Sequence, residues 1–83
     1  MYSIYVLKSL QDNKLYIGRT DNLKRRIKEH AQRKVKSTKN RLPVVLIFYE
    51  VFKNKKDSIR RERYFKTTKG KKALKLMLRE SLK

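Results

Sequence analysis

Cysteine and tryptophan are absent from this 83-residue chain, and there are only two glycines, one proline and one histidine. Each scarcity excludes something. Without cysteine there is no disulfide and no thiolate zinc site to brace a small fold. With His30 as the sole histidine, a zinc site built from several histidines is excluded. So few glycines and prolines, with no low-complexity tract, argue against a disordered chain. No apolar run approaches the roughly 18 residues that cross a bilayer. The N-terminus, Met1-Tyr2-Ser3-Ile4-Tyr5-Val6-Leu7, lacks the basic region and small-residue cleavage site of a signal peptide. The expectation is therefore one intracellular, cytoplasmic domain spanning residues 1–83, with no membrane partner.

Acidic residues are also scarce. Seven of them face 25 lysines and arginines, for a formal net charge of +18. Hydrophobic residues still make up 39% of the chain, so a small core is available. A folded domain this basic calls for a polyanion, and nucleic acid is the expected partner, with DNA favoured. The basic residues fall in blocks: nine lie in 21–41, none in 42–52 and ten in 53–72.

The apolar pattern orders the chain as β-β-α-β-α-α. Residues 2–8 are rich in β-branched and aromatic types and read as a strand. Gln11-Asp12-Asn13 is turn chemistry, and 14–19 form a second strand. A two-residue turn at Asp12-Asn13 would make paired positions sum to 25, placing Tyr5 and Tyr16 on one face. Residues 21–32 follow the helical period through Leu23, Ile27 and Ala31, with Thr20 or Asp21 as N-cap. Residues 33–43 form a basic loop. The apolar run 44–52 reads as a buried central or near-central strand. Asp57 or Ser58 would cap a helix to Phe65 or Lys66, broken at Thr67, Thr68 and Gly70. A last helix would bury Ala73, Leu74, Met77 and Leu78. The expected fold is α+β, a three-stranded sheet flanked by helices.

Polar residues on apolar faces mark candidate chemistry. Arg26 and His30 share an edge of the first helix facing the sheet, whereas Lys24, Arg25 and Lys28 face solvent. The plain alternative is a snorkelling arginine and a histidine on the helix dipole. Glu62 has Ile59 and Phe65 at i−3 and i+3, so it lies on the apolar side, with Lys66 at i+4. It is either half of a helix ion pair or a carboxylate held for a divalent cation. Tyr5 and Tyr16 are either core residues or phenols beside a guanidinium, where a lowered pKa would let them handle a proton.

Ser3-Ile4-Tyr5, followed by Tyr16-Ile17-Gly18, resembles the two-part signature of the GIY-YIG nuclease superfamily. Arg26 stands ten residues after the second motif tyrosine and His30 four further on. Arg61-Glu62-Arg63-Tyr64-Phe65-Lys66 supplies the late helical glutamate. Lys36-Ser37-Thr38-Lys39, Pro43-Val44-Val45-Leu46 and Phe48-Tyr49-Glu50 resemble the small stand-alone, URI-type members. The resemblance implies an antiparallel sheet and metal-dependent endonucleolytic hydrolysis of DNA phosphodiesters, single-stranded or structured. It implies Tyr5, Tyr16, Arg26, His30 and Glu62 as catalytic residues, with Tyr5 the first choice to assist the base and His30 the second. Glu62 would hold a single Mg²⁺ or Mn²⁺, and Gly18 is the motif glycine. Backbone grip would come from Arg19, Lys24, Arg25, Lys36, Lys39, Lys66 and Lys72, and Gly18 would leave room for close approach of DNA or the helix. Two departures stand out. Ser3 replaces the first glycine, and residues 69–83 lack the asparagine of many members, leaving Lys66 or Lys72 to take a phosphate. The alternative function is a non-catalytic basic nucleic-acid-binding module on the same fold.

Overall fold

A computed structural model describes all 83 residues, Met1–Lys83. The elements are β1 (Tyr2–Ser9), β2 (Leu15–Thr20), α1 (Leu23–Ala31), β3 (Val44–Phe52), α2 (Lys55–Phe65) and α3 (Thr68–Met77). The expected α+β order β-β-α-β-α-α is the observed one. No helix is long and apolar enough to cross a membrane.

The sheet order is β2-β1-β3, and both pairings are antiparallel. The central strand is thus β1, not 44–52 as its apolar run suggested. Ile4, Tyr5, Val6 and Leu7 of β1 are at most 1% exposed, because both sheet faces are covered there. β3 is an edge strand, and Val45, Leu46, Tyr49 and Val51 are exposed on it. A bulge between Val6 and Leu7 shifts the β1–β3 register. It turns both Ile47 and Phe48 towards the core, where Phe48 meets Phe65 edge-on at 6.4 Å.

The β1–β2 register also departs from expectation. Ser3 pairs with Thr20 and Tyr5 with Gly18, so paired positions sum to 23. The turn is longer than two residues: Ser9 N–H donates to Lys14 O, and Asn13 N–H donates back to Ser9 O. Asn13 takes φ 61°, in the left-handed region that asparagine tolerates. A shift of two keeps side-chain parity, so Tyr5 and Tyr16 still share a face.

That parity divides the core. Ile4, Val6 and Ile17 face α2 and α3, packing with Phe65, Leu74 and Leu78. Tyr5, Leu7, Tyr16 and Gly18 project to the opposite face. The helix caps are asparagine and threonine side chains, each accepting from a first-turn N–H: Asn22 for α1, Asn54 for α2 and Thr67 for α3. Thr20 instead bonds the Asn22 backbone just ahead of α1, and Asp57 and Ser58 lie inside α2. Gly70 does not break a helix. It lies within α3 where a Cβ would be 1.8 Å from Tyr64 O, so glycine permits the tight α2–α3 junction. Leu74 and Leu78 are buried as expected, but Met77 is 48% exposed.

Candidate active site

Alternation along β1 and β2 delivers two tyrosines and a glycine to one sheet face. Tyr5 is across from Gly18, and Tyr16 is across from Leu7. The Tyr5 and Tyr16 ring centroids are 6.2 Å apart. α1 drops His30 onto this pair, edge-on to both rings at 5.6 and 5.2 Å. His30 is fully buried and both ring nitrogens are engaged. Nε2 is 2.9 Å from the Tyr5 hydroxyl, and Nδ1 is 2.7 Å from Thr38 Oγ1. Thr38 is itself buried, held by the turn Thr38 N–H to Val35 O.

Arg26 precedes His30 by one helical turn and lies near the Tyr5 hydroxyl, whose oxygen raises the guanidinium pKa. A guanidinium only donates, so with Arg26 facing the phenol oxygen the Tyr5 O–H is free to donate to His30 Nε2; in that tautomer Nδ1–H donates to Thr38 Oγ1. Burial and the Arg26 charge lower the His30 pKa, against a smaller raising effect from Glu29. The imidazole is neutral at pH 7. Burial pushes the Tyr5 phenol up to about 12, outweighing its bond to Arg26. The lowered tyrosine pKa expected from a nearby guanidinium does not hold for Tyr5, because desolvation dominates.

Arg26 also lines an open cleft with Tyr2, Arg19, Arg25, Glu29 and Lys55. Four cations thus line one open cleft. The acids nearby are Asp21, 3.3 Å from Arg25, and Glu29, 3.3 Å from Arg26. Arg25 and Lys24 are exposed, as the helical period indicated, while Arg26 is half-buried.

Glu62 stands apart from the tyrosines. It lies on α2, across the sheet, and hydrogen-bonds to none of Tyr5, Tyr16, Arg26 or His30. Its Oε2 is 3.2 Å from Lys66 Nζ, and its Oε1 is 3.5 Å from Arg19 Nε. That Arg19 nitrogen is buried without a hydrogen-bond partner. Arg19 therefore links Glu62 to the cleft that holds Arg26. No group of three histidine, cysteine or acidic residues gathers here or elsewhere. One hard oxygen donor fits a cation that keeps most of its ligands as water and phosphate oxygens.

The other basic residues expected to grip nucleic acid are dispersed. Lys36 and Lys39 flank Thr38 on an exposed turn, Lys66 pairs with Glu62, and Lys72 is exposed on α3. Gly18 has a different use from the one expected: the ring of Tyr5 occupies the space above it. Sequence reasoning passed over Thr38, Glu29, Lys55 and Tyr2. Of these, only Glu29 had a local signal, its i+3 spacing from Arg26.

A family model described as the GIY-YIG catalytic domain matches residues 1–75. The chain belongs to the GIY-YIG family. GIY-YIG domains form a nuclease-type family, which points to a nucleic-acid substrate. The chain is 41% identical over 75 residues to UPF0213 protein SH2523 of Staphylococcus haemolyticus, covering 89% of this chain and 90% of the relative. It is 39% identical to UPF0213 protein CPE1444 of Clostridium perfringens, covering 100% and 89%. It is 45% identical over 69 residues to UPF0213 protein YazA of Bacillus subtilis, covering 82% and 69%. No solved structure matches. In this GIY-YIG chain the two signature motifs are the facing strands β1 and β2, so the signature itself builds the Tyr5–Tyr16–His30 cluster.

Proposed function

We propose that this protein is a metal-dependent endonuclease that hydrolyses DNA phosphodiester bonds. The observation that carries the reading is the chain Arg26–Tyr5–His30–Thr38, which runs from the cationic cleft into the buried sheet face. A packing role alone does not require a histidine that is fully buried, neutral and bonded at both nitrogens.

In the proposed reaction, a scissile phosphate lies in the cleft against Arg19, Arg25, Arg26 and Lys55. Arg26 donates to its nonbridging oxygens, where charge grows in the transition state. Water attacks phosphorus, and its O–P bond forms as the P–O ester bond breaks. The water proton passes to the Tyr16 oxygen, the Tyr16 proton to the Tyr5 oxygen and the Tyr5 proton to His30 Nε2, while the leaving oxygen takes a proton from solvent water. No free phenolate forms, so a phenol pKa near 12 is no obstacle. Tyr16, half-buried, is the phenol that a water can approach. Glu62 is the residue that would hold Mg²⁺ or Mn²⁺. When bound, such an ion supplies charge neutralisation at the leaving oxygen.

The second reading is a non-catalytic basic nucleic-acid-binding module. One observation favours it: both Glu62 oxygens face cations, Lys66 and Arg19. One experiment separates the two. Labelled single-stranded, duplex and branched DNAs are incubated with the purified protein in magnesium, manganese or chelator. Cleavage that requires metal supports the nuclease. Binding to all three without a metal-dependent product supports the module.

A further inference from the structure

β3 presents a partly exposed apolar strip. Leu46, Tyr49 and Val51 are 38%, 54% and 50% exposed. The register sets them opposite Leu7, Tyr5 and Ser3, on the same sheet face as the tyrosine–histidine cluster. His30 of α1 rests over Tyr5 and Tyr16; α1 also approaches β3, yet Leu46, Tyr49 and Val51 stay exposed. Burial explains most aromatics in this chain, but not Tyr49, a large side chain facing solvent directly across from Tyr5.

Charge identifies what fits the strip. Residues 42–52 carry no lysine or arginine, while the blocks before and after carry nine and ten. A polyanion whose phosphates lie on the flanking cations would set its uncharged parts over this neutral strip. In a nucleic acid those parts are the bases. A duplex keeps its base faces stacked on each other, whereas a single strand offers them.

We infer that Tyr49, flanked by Leu46 and Val51, is a stacking platform for an unpaired base of a single-stranded nucleic acid. The inference rests on the proposed reading that the scissile phosphate lies at the Arg26 cleft. It deepens that reading by assigning the substrate's strandedness. Tyr49 is a positioning residue: it holds a base and does not touch the reacting atoms. A second copy of the chain adding strand to strand at the β3 edge is the competing occupant. Two chains of +18 each would repel as they approach.

The test measures binding of the full chain in chelator, where cleavage does not interfere. The probes are a labelled oligothymidylate and a labelled blunt hairpin duplex, compared at one salt concentration. Tyr49→Ala should weaken oligothymidylate binding about tenfold and leave duplex binding within about twofold of native. Tyr49→Phe should restore single-strand binding, because the ring is kept. Tyr49→Trp gives a chain without other tryptophan a single indole. Its fluorescence should be quenched by the oligothymidylate and unaffected by the duplex. Equal effects of Tyr49→Ala on both probes, no effect on either, or an unquenched indole would overturn the platform. So would a fall in sedimentation mass in Tyr49→Ala, which would assign the strip to a second copy. Selective binding without cleavage under any metal would retire the nuclease and keep the platform. Cleavage with an unselective Tyr49→Ala would retire the platform alone.

Discussion

The Tyr5 ring lies across the α-carbon of Gly18: a Cβ at Gly18 would sit 2.4 Å from both the Cζ and the hydroxyl oxygen of Tyr5. The two residues are cross-strand partners, so neither can move without disturbing the pairing of β1 and β2. Gly18→Ala should displace the phenol and break its 2.9 Å bond to His30. The expected cost is about 1–3 kcal/mol, as for an overpacked core. Urea unfolding measures it. A variant as stable as the native chain would show that Tyr5 has room to yield.

This contact also explains what the sequence did and did not disclose. Period-2 alternation was enough to place Tyr5 and Tyr16 together, because a register error of two preserves the face. It could not reveal which strand was central. The run 44–52 is apolar enough for a centre, yet Tyr2–Ser9 takes that place, and the apolar residues of β3 stay exposed. Helical period alone oriented Arg26, His30 and Glu62. Thr38 was not legible, since its bond to His30 spans eight residues through an irregular turn. The Tyr5 pKa was not legible either, because it depends on how completely α1 seals the sheet.

His30 predicts a pH dependence of stability. Burial lowers its folded pKa below the ordinary 6.5. Between the folded value and 6.5 the unfolded chain binds more protons, so stability rises with pH there. The His30 contribution is therefore fully present above about pH 6.5 and falls away as pH drops towards the folded value. Chemical unfolding across pH 5–7.5 should show this slope. His30→Gln should remove it, since the chain has no other histidine. A slope unchanged in that variant would assign the effect to other groups.

Neighbouring arginines separate binding from catalysis. Arg25 is 60% exposed at its side chain and pairs with Asp21, whereas Arg26 is 35% exposed and contacts Tyr5. Each removes one positive charge when replaced by alanine, so their losses of DNA affinity should be similar. Their effects on cleavage should differ. Arg26→Ala should slow single-turnover cleavage by about 10²–10³, the usual cost of losing a donor to transition-state charge. Arg25→Ala should slow it far less once the DNA is saturating. Equal rates for the two variants would remove Arg26 from the proposed chemistry.

Glu62 gives the sharpest division between the nuclease and the binding module. Glu62→Ala should abolish metal-dependent cleavage, because no cluster of three metal-ligating residues stands in for it. DNA binding should persist or tighten, since the variant is one charge more positive and frees both Arg19 and Lys66. The largely exposed Lys66 pair should contribute about 0–1 kcal/mol to stability, and loss of the more enclosed Arg19 pair adds to the cost. Lys66→Ala is the informative companion. It uncovers Oε2 while keeping the carboxylate, so the metal concentration needed for half-maximal cleavage should fall. If Lys66 were instead a substrate contact, that concentration would stay constant and the apparent DNA affinity would drop. Titrating manganese against both variants at saturating DNA distinguishes the two roles. Cleavage by Glu62→Ala at the native rate would show that the carboxylate serves only its ion pairs with Lys66 and Arg19.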